Sequence, residues 1–210
     1  MNKQILSKSC FIVLAAFFYL SGCQTTSSNL SADINSYNVP LYLSEYTPKL
    51  DAAKYQQLGG GKMCMSNIRN DAVNTTNFNY FSKDIKVRYE LSNKANTLIQ
   101  FVQNFFWYAY QKAFIQAGID TSAYCSPENI PELWIIFQSF NDEELQLKIT
   151  VLKSRETKYE KDLVVRVVPP ATRNITELQN RAYAMIDQTV TTILDDPGLQ
   201  AAFLSKPEQK

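Results

Sequence analysis

Cysteine is the residue type in this chain with the most chemistry to offer. The 210 residues contain four cysteines and no histidine. Without histidine, Ser-His-Asp and Cys-His catalysis and every His-ligated metal site are excluded. Lysine-activated nucleophiles and carboxylate pairs stay open, but no convergent polar set can be assembled from the sequence. We therefore predict a protein that is not an enzyme and that needs no metal or cofactor.

The N-terminal segment has the parts of a secretory signal. Lys3 and Lys8 give it a positive start, residues 10–20 form an apolar core, and small residues lead into Cys23. The apolar core is too short to cross a bilayer, which takes about 20 apolar residues. Residues 1–22 are therefore predicted to direct export and to be removed.

The run Leu20-Ser21-Gly22-Cys23 resembles the lipobox of bacterial lipoproteins. The resemblance implies that the Cys23 thiol receives a diacylglycerol group and that the chain is cut just before it. An ordinary signal peptide followed by a chance cysteine is the alternative. Because Gln24 rather than aspartate follows, the resemblance implies anchoring in the outer membrane, on its periplasmic side.

Removal of residues 1–22 from the 210-residue chain leaves 188 residues, enough for one domain. Residues 23–38 are small and polar, so we predict a lipidated cysteine and a flexible tether that spans roughly 20 Å. Residues 39–210 are predicted to form a single periplasmic α+β domain.

The charge balance argues against nucleic acid as a partner. Lys3 and Lys8 leave with the signal, so 19 basic residues face 20 acidic ones in the mature chain. No basic excess remains to neutralise phosphates. The expected contacts are instead a membrane, through the lipid anchor, and a protein partner.

Cys64 and Cys125 are the two cysteines left after export and lipidation. An oxidising compartment favours a disulfide between them. Two separately buried free thiols are the alternative, because sequence does not fix the distance between two Cα atoms.

Hydrophobic periodicity predicts the order strand, strand, long helix, three-strand meander, long helix, short helix. The strands are expected at residues 62–69, 84–91, 133–140, 145–151 and 163–167, and the long helices at residues 94–117 and 176–194. These elements favour a two-layer α+β sandwich. Its mainly antiparallel sheet has about five strands, with both long helices on one face and a short helix at the C-terminal end.

Several boundary signals refine this prediction. Gly118 is expected to end the first long helix, and Thr176 with Gln179 forms a capping box for the second. Asp196 is the expected cap of the short helix, with Pro197 at its first position. Ile85 is expected on the buried face of the strand over residues 84–91.

Behind its lipobox, this order resembles the YajG-like and LptE-like groups of small Gram-negative lipoproteins and the auxiliary lipoproteins of lipid transporters. The resemblance covers residues 62–204 and lies in the helix that ends at Ala117-Gly118, the meander over residues 133–168 and the end at Asp196-Pro197-Gly198. It implies a non-enzymatic role in transport or assembly at the outer membrane. It transfers no functional residue to this chain.

An aromatic run on the first long helix is the best candidate for function. Core packing explains most of it, but Trp107, Tyr108 or Tyr110 could stay exposed and bind a partner protein or an acyl chain. Trp134 and Phe140, on the second face of the first meander strand, could do the same. An accessory factor that binds a protein partner is the first prediction, and a lipid-binding auxiliary protein with an apolar cavity is the alternative.

Two acidic clusters are expected to be structural. Asp142, Glu143 and Glu144 lie at a predicted hairpin tip, where solvation leaves their acidity ordinary. Asp195 and Asp196 are explained by helix capping.

Overall fold

A computed structural model describes residues 37–58, 61–93, 98–99, 101–122, 125, 130–169 and 174–204. The predicted signal, Cys23 and most of the predicted tether lie outside these residues. The described elements run in chain order as β1 (Tyr37–Tyr42), a 3-10 helix (Ala52–Leu58), β2 (Lys62–Met65), β3 (Arg69–Asn70), β4 (Asn79–Phe81), β5 (Val87–Asn93), β6 (Leu98–Ile99), α1 (Val102–Gln116), β7 (Asp120–Ser122), β8 (Glu132–Phe140), β9 (Glu144–Lys153), β10 (Glu156–Arg166), α2 (Ile175–Leu194) and α3 (Pro197–Leu204).

The strands form two mixed sheets, so the α+β class is confirmed but the single antiparallel sheet of about five strands is wrong. The first sheet has the order β1-β5-β4, and β6 pairs with the end of β5. Its β1–β5 pair is parallel. The second sheet has the order β10-β9-β8-β2-β7, and β3 also pairs with β8.

The second sheet combines the two kinds of pairing. The predicted meander forms its antiparallel half, β8-β9-β10. Its other half is parallel, because β2 and β3 both pair with β8, which comes much later in the chain. Parallel neighbours require crossovers, which local periodicity does not reveal.

The two long helices and the short C-terminal helix are present, but they do not share one face of one sheet. α1 packs against α2 and contacts β3, β5 and β7, whereas α2 contacts β1 of the first sheet and β10 of the second. The helices therefore join the two sheets. Aromatic rings fill the core between them, with Phe106 edge-on to Phe137 and Phe140, and Tyr80 stacked on Tyr89.

α1 is eight residues shorter at its start than predicted. Leu98 and Ile99 form β6 and pair with the end of β5, so the helix begins at Val102. Their spacing from Val102 fits a helical stripe, and that coincidence explains the error. Gly118 ends the helix with a φ of 86°, as predicted.

Ile85 does not belong to a strand. Its φ is 60° and its side chain is half exposed, because it sits in a turn in which its N–H donates to the Ser82 carbonyl oxygen. β5 begins two residues later, with Val87, Tyr89 and Leu91 buried as expected. Alternation alone cannot signal a left-handed backbone at a β-branched residue.

The start of α2 differs from the predicted capping box. Asn174 is the cap, and its side-chain oxygen accepts a hydrogen bond from the Glu177 N–H at 2.9 Å. Gln179 instead donates to the Pro40 carbonyl oxygen of β1, and the Tyr183 hydroxyl donates to Tyr42 O and accepts from Tyr42 N. α2 side chains thus satisfy backbone groups along the open edge of β1.

The folded domain includes residues that were predicted to belong to the tether. β1 starts at Tyr37, so the last two residues of the predicted tether, Tyr37 and Asn38, pair with β5.

Candidate partner-binding surface

The outward face of α1 carries three large apolar side chains at seven-residue intervals. Phe101, Tyr108 and Ile115 are 41%, 46% and 59% exposed. Seven residues make almost two full helical turns, so the three side chains lie on one line along the helix. We call these three residues the α1 stripe.

Two further rings flank the α1 stripe and are held in place. Trp107 lies edge-on to Tyr108 with ring centroids 4.9 Å apart, and its indole N–H donates to the Met65 carbonyl oxygen at 3.1 Å. Phe78 packs on Phe101 with centroids 5.0 Å apart. Rings fixed in this way lose little side-chain entropy when they bind a partner.

α1 itself contributes no free charge to the face around the α1 stripe. Lys112 is the one charged residue of α1, and its ammonium donates to the carbonyl oxygens of Leu43 and Tyr46. Burial lowers the pKa of Lys112. The amides of Asn104 and Gln111 complete the outward face. Aromatic enrichment with charge depletion is the composition of the centre of a protein interface.

The predicted contact residues do not form one surface. Tyr108 is the middle residue of the α1 stripe, and Trp107 lies beside it. Tyr110 is fully buried against Phe106 and Phe137, so it cannot reach a partner, and burial raises the pKa of its hydroxyl.

Trp134 is 43% exposed, but it projects from the other side of the second sheet. Its neighbours Leu133 and Ile135 are buried on the side that α1 covers. Phe140, expected on the same side as Trp134, is buried because the β8–β9 register shifts between Phe137 and Ser139. A β-bulge reverses the alternation of side chains beyond it.

Phe101, Ile115 and Phe78 were not identified from the sequence as surface residues. A usable signal was present, because the seven-residue spacing of Phe101, Tyr108 and Ile115 coincides with a helix that has a single charged residue. The strong core periodicity of Phe105, Phe106 and their neighbours concealed it.

The predicted hairpin tip holds a buried ion pair instead of a solvated cluster. Asp142 is 9% exposed, and its carboxylate accepts from the Tyr89 hydroxyl at 3.0 Å, the Lys83 N–H at 3.1 Å and Arg181 Nη1 at 3.3 Å. Arg181 was not identified from the sequence. A cleft of about 300 Å³ lies beside the pair. Glu143 pairs with Lys83 at the surface.

Glu144 lies beyond this cluster, at the start of β9. Hydrogen bonds from Gln146 and Arg166 lower the pKa of the Glu144 carboxyl.

Cys64 and Cys125 form a disulfide, as predicted, with Cα atoms 5.1 Å apart. It ties β2 to the segment between β7 and β8. Glu132 lies close enough to make a three-ligand metal cluster with the two sulfurs. Because the sulfurs are bonded to each other, neither is a thiolate that could bind a metal.

The two acidic residues between α2 and α3 anchor other side chains besides capping. Asp195 accepts from the Tyr55 hydroxyl and Lys54. Asp196 caps α3 through the Gly198 and Leu199 N–H groups, which confirms the predicted cap. Asp196 also accepts from the Tyr159 hydroxyl at 2.5 Å and from Lys161 at 2.6 Å.

Asp196 should make the protein sensitive to acid. Burial alone would raise its pKa, but the bonds from Lys161, Tyr159 and Leu199 outweigh burial and lower the pKa from 3.8 to about 2. A lowered pKa in the folded state stabilises it above about pH 4, and this contribution is lost as the pH falls from 4 to 2.

We expect Asp196→Asn to be less stable than the unsubstituted chain at pH 6 by on the order of 1 to 2 kcal/mol, with the difference shrinking towards pH 2. Urea unfolding across this pH range measures it. A difference independent of pH would contradict the lowered pKa.

None of the described helices combines the length and the apolar character that a bilayer crossing requires.

Comparisons with known proteins add little to the site. No protein-family model matches the sequence, and no curated protein matches it. The structure is similar to that of protein XCC0632 from Xanthomonas campestris, described with the family label DUF330, with a TM-score of 0.47 and 9% identity over 76% of this chain and 93% of that one. A second crystal structure, of an uncharacterized protein, has a TM-score of 0.41 and 9% identity over 76% and 97% of the two chains.

Proposed function

We propose that this protein is a lipid-anchored lipoprotein on the periplasmic side of the bacterial outer membrane that binds a protein partner and has no catalytic activity. The observation that carries the binding role is the α1 stripe, an uncharged row of exposed large apolar side chains on a helix fixed in the fold. The anchoring role rests on Cys23 and the signal before it.

The α1 stripe supports protein binding for a physical reason. When a partner covers the α1 stripe, each exposed apolar side chain is removed from water. Burial of apolar surface contributes a binding free energy of about 25 cal/mol per Å². The Trp107 N–H already has an acceptor in Met65, so covering this region leaves that donor satisfied. Held aromatic rings without competing charges are typical of the residues that dominate binding energy.

A lipid-binding role is not favoured by the described residues. The space between α1 and the second sheet is filled by Phe106, Phe137 and Phe140. The clefts beside Arg181 and beside Asp187 have volumes of about 300 and 340 Å³, and both mix charged residues with apolar ones in their linings. An acyl chain needs an apolar cavity instead.

Photo-crosslinking in the bacterial envelope tests the binding role. A photoreactive phenylalanine analogue in place of Tyr108 in the full chain should give a covalent protein adduct after irradiation. The same analogue in place of Trp134, which is 43% exposed against 46% for Tyr108, is the matched control and should give none. Equal adducts at both positions, or none at position 108, would remove the α1 stripe from the proposal.

The same samples test the anchor. The mature chain should begin at Cys23, carry acyl groups in intact-mass analysis and stay with the outer membrane. Cys23→Ala should release it from the membrane. A chain that starts elsewhere, or a bare Cys23 thiol, would contradict the anchoring role.

A further inference from the structure

Two sulfur atoms and a carboxylate meet in the second sheet, where β2 lies between β7 and β8. One oxygen of Glu132 and the Sγ atoms of Cys64 and Cys125 all lie within 4.8 Å of one another. Cys64 is buried, Glu132 is partly buried and Cys125 is exposed. Within the described part of the chain, the Glu132 carboxylate takes part in no hydrogen bond or ion pair. It is therefore available as a ligand beside the two sulfurs.

The sheet holds these groups together independently of the disulfide. β2 runs parallel to β8 with Cys64 opposite Glu132, and the Cys64 N–H donates to the Pro131 carbonyl oxygen at 2.9 Å. On its other side, β2 pairs with β7, where Cys64 is opposite Ser122, three residues before Cys125. Residues directly opposite each other on paired strands have their side chains on the same face of the sheet. The three groups should therefore stay neighbours when the S–S bond is broken.

We propose that reduction of the Cys64–Cys125 disulfide turns this cluster into a zinc site, with the two thiolates and the Glu132 carboxylate as its protein ligands. Zn²⁺ binds cysteine sulfur and carboxylate oxygen, and three protein ligands leave its fourth position to water. Thiolates also select against Ca²⁺ and Mg²⁺, which take oxygen ligands. The zinc site does not depend on the proposed binding role of the α1 stripe.

The reduction requires a dithiol as the second reactant. The dithiol gives two electrons and two protons to the disulfide and becomes a disulfide itself, which leaves one thiol at Cys64 and one at Cys125. Zn²⁺ then displaces a proton from each thiol, because the thiolate is the form that binds a metal. Without a cation, three negative groups within 4.8 Å of one another repel each other. Zinc binding and the disulfide are therefore mutually exclusive states of the same residues.

Zinc titration of the purified full chain tests the proposal. The disulfide is reduced with a water-soluble phosphine, which ends as its oxide, and the reagent is removed in the absence of air. Competition with a chromophoric chelator should show a single Zn²⁺ ion bound to each reduced chain. The oxidised chain and the double variant Cys64→Ser/Cys125→Ser should bind none, and this variant reports any zinc held by Cys10 or Cys23. Zinc binding that is equal in the oxidised and reduced chains, or absent from both, overturns the proposal.

Two substitutions test the carboxylate ligand in the reduced chain. Glu132→Gln should weaken zinc binding by roughly tenfold or more, since loss of even an outer-shell partner of a metal ligand costs about this much. Asp120→Asn is the matched control, because it removes an exposed carboxylate from β7, the other neighbour of β2. It should leave the zinc affinity unchanged. Equal affinities for Glu132→Gln and the unsubstituted chain would show that Glu132 is not a ligand, and the proposed site would be wrong.

Stability distinguishes a folded zinc site from two cysteines that bind zinc in an unfolded chain. Zinc should raise the urea midpoint of the reduced chain and leave that of the oxidised chain unchanged, because a ligand that binds only the folded state stabilises it. If the reduced chain is unfolded, zinc should restore the circular dichroism of the oxidised chain. Zinc binding that produces neither effect overturns the proposal.

Discussion

Replacement of Arg181 by Met is expected to lower the free energy of unfolding by about 3 to 5 kcal/mol. The side chains of Arg181 and Asp142 are each 7% exposed. Removal of the cation leaves the Asp142 carboxylate buried, and among the described residues the Tyr89 hydroxyl and the Lys83 N–H are the donors that remain to it. An uncompensated buried charge carries a penalty of this size. Urea unfolding at neutral pH measures the loss.

The control for this substitution is an exposed ion pair between β9 and β10. Arg166 pairs with Glu144 at 2.7 Å, but its side chain is 71% exposed. We expect Arg166→Met to cost less than about 1 kcal/mol, because exposed ion pairs contribute little. A cost for Arg181→Met no greater than that for Arg166→Met would show that the buried pair does not stabilise the fold.

A double variant tests how much of the loss comes from leaving one buried charge without its partner. In the described part of the chain, Nε and Nη2 of Arg181 have no hydrogen-bond acceptor, and the nearest further carboxylate oxygen, Glu143 Oε1, lies 3.9 Å from Nη2, so the hydrogen-bonding capacity of this cation is not fully used. Arg181→Met combined with Asp142→Asn removes both charges. It should therefore be less destabilised than the sum of the single variants, by about 1 to 3 kcal/mol.

Reduction of the Cys64–Cys125 disulfide is expected to lower the free energy of unfolding by about 4 kcal/mol. The bond closes a loop with a sequence separation of 61 residues, and the chain-entropy model gives this value for such a loop. Urea unfolding with and without a thiol reductant measures it on the same protein. Cys64→Ala/Cys125→Ser should unfold at the midpoint of the reduced chain and should not respond to the reductant. Equal midpoints for the oxidised and reduced unsubstituted chain would contradict the prediction.

Elements whose partners are close in sequence could be predicted. β8, β9 and β10 pair with their neighbours along the chain. β9 alternates throughout, β8 alternates up to its bulge, and β10 alternates over its last residues, where Leu163 and Val165 are buried. α2 also follows its predicted stripe, with Leu178, Met185 and Ile193 buried. In these segments, local pattern and tertiary packing favour the same structure.

The parallel pairs could not be predicted, because their partners are distant. Nothing in the sequence of β1 indicates that it pairs with β5, about fifty residues later. A two-residue strand such as β6 has no periodicity of its own, so only its hydrogen bonds to β5 separate it from the helix that follows.

The burial of Asp142 at the hairpin tip could not be predicted from the sequence either. Asp142 follows the chemistry of a turn residue, and turns are usually solvated. Its burial is set by Arg181, 39 residues later in the chain, and by Tyr89, 53 residues earlier. The α1 stripe is different, because its spacing and lack of charge are local and could have been recognised.

The hydrogen bonds between β1 and α2 can form only after both elements have been synthesised. Tyr183 and Gln179 bond to β1 across sequence separations of 141 and 139 residues. Synthesis runs from the N-terminus, so β1 is made before α2 and its outer edge stays without these partners until α2 follows. During that interval the edge is open to any extended segment nearby, and a chaperone that shields it would have its greatest effect then.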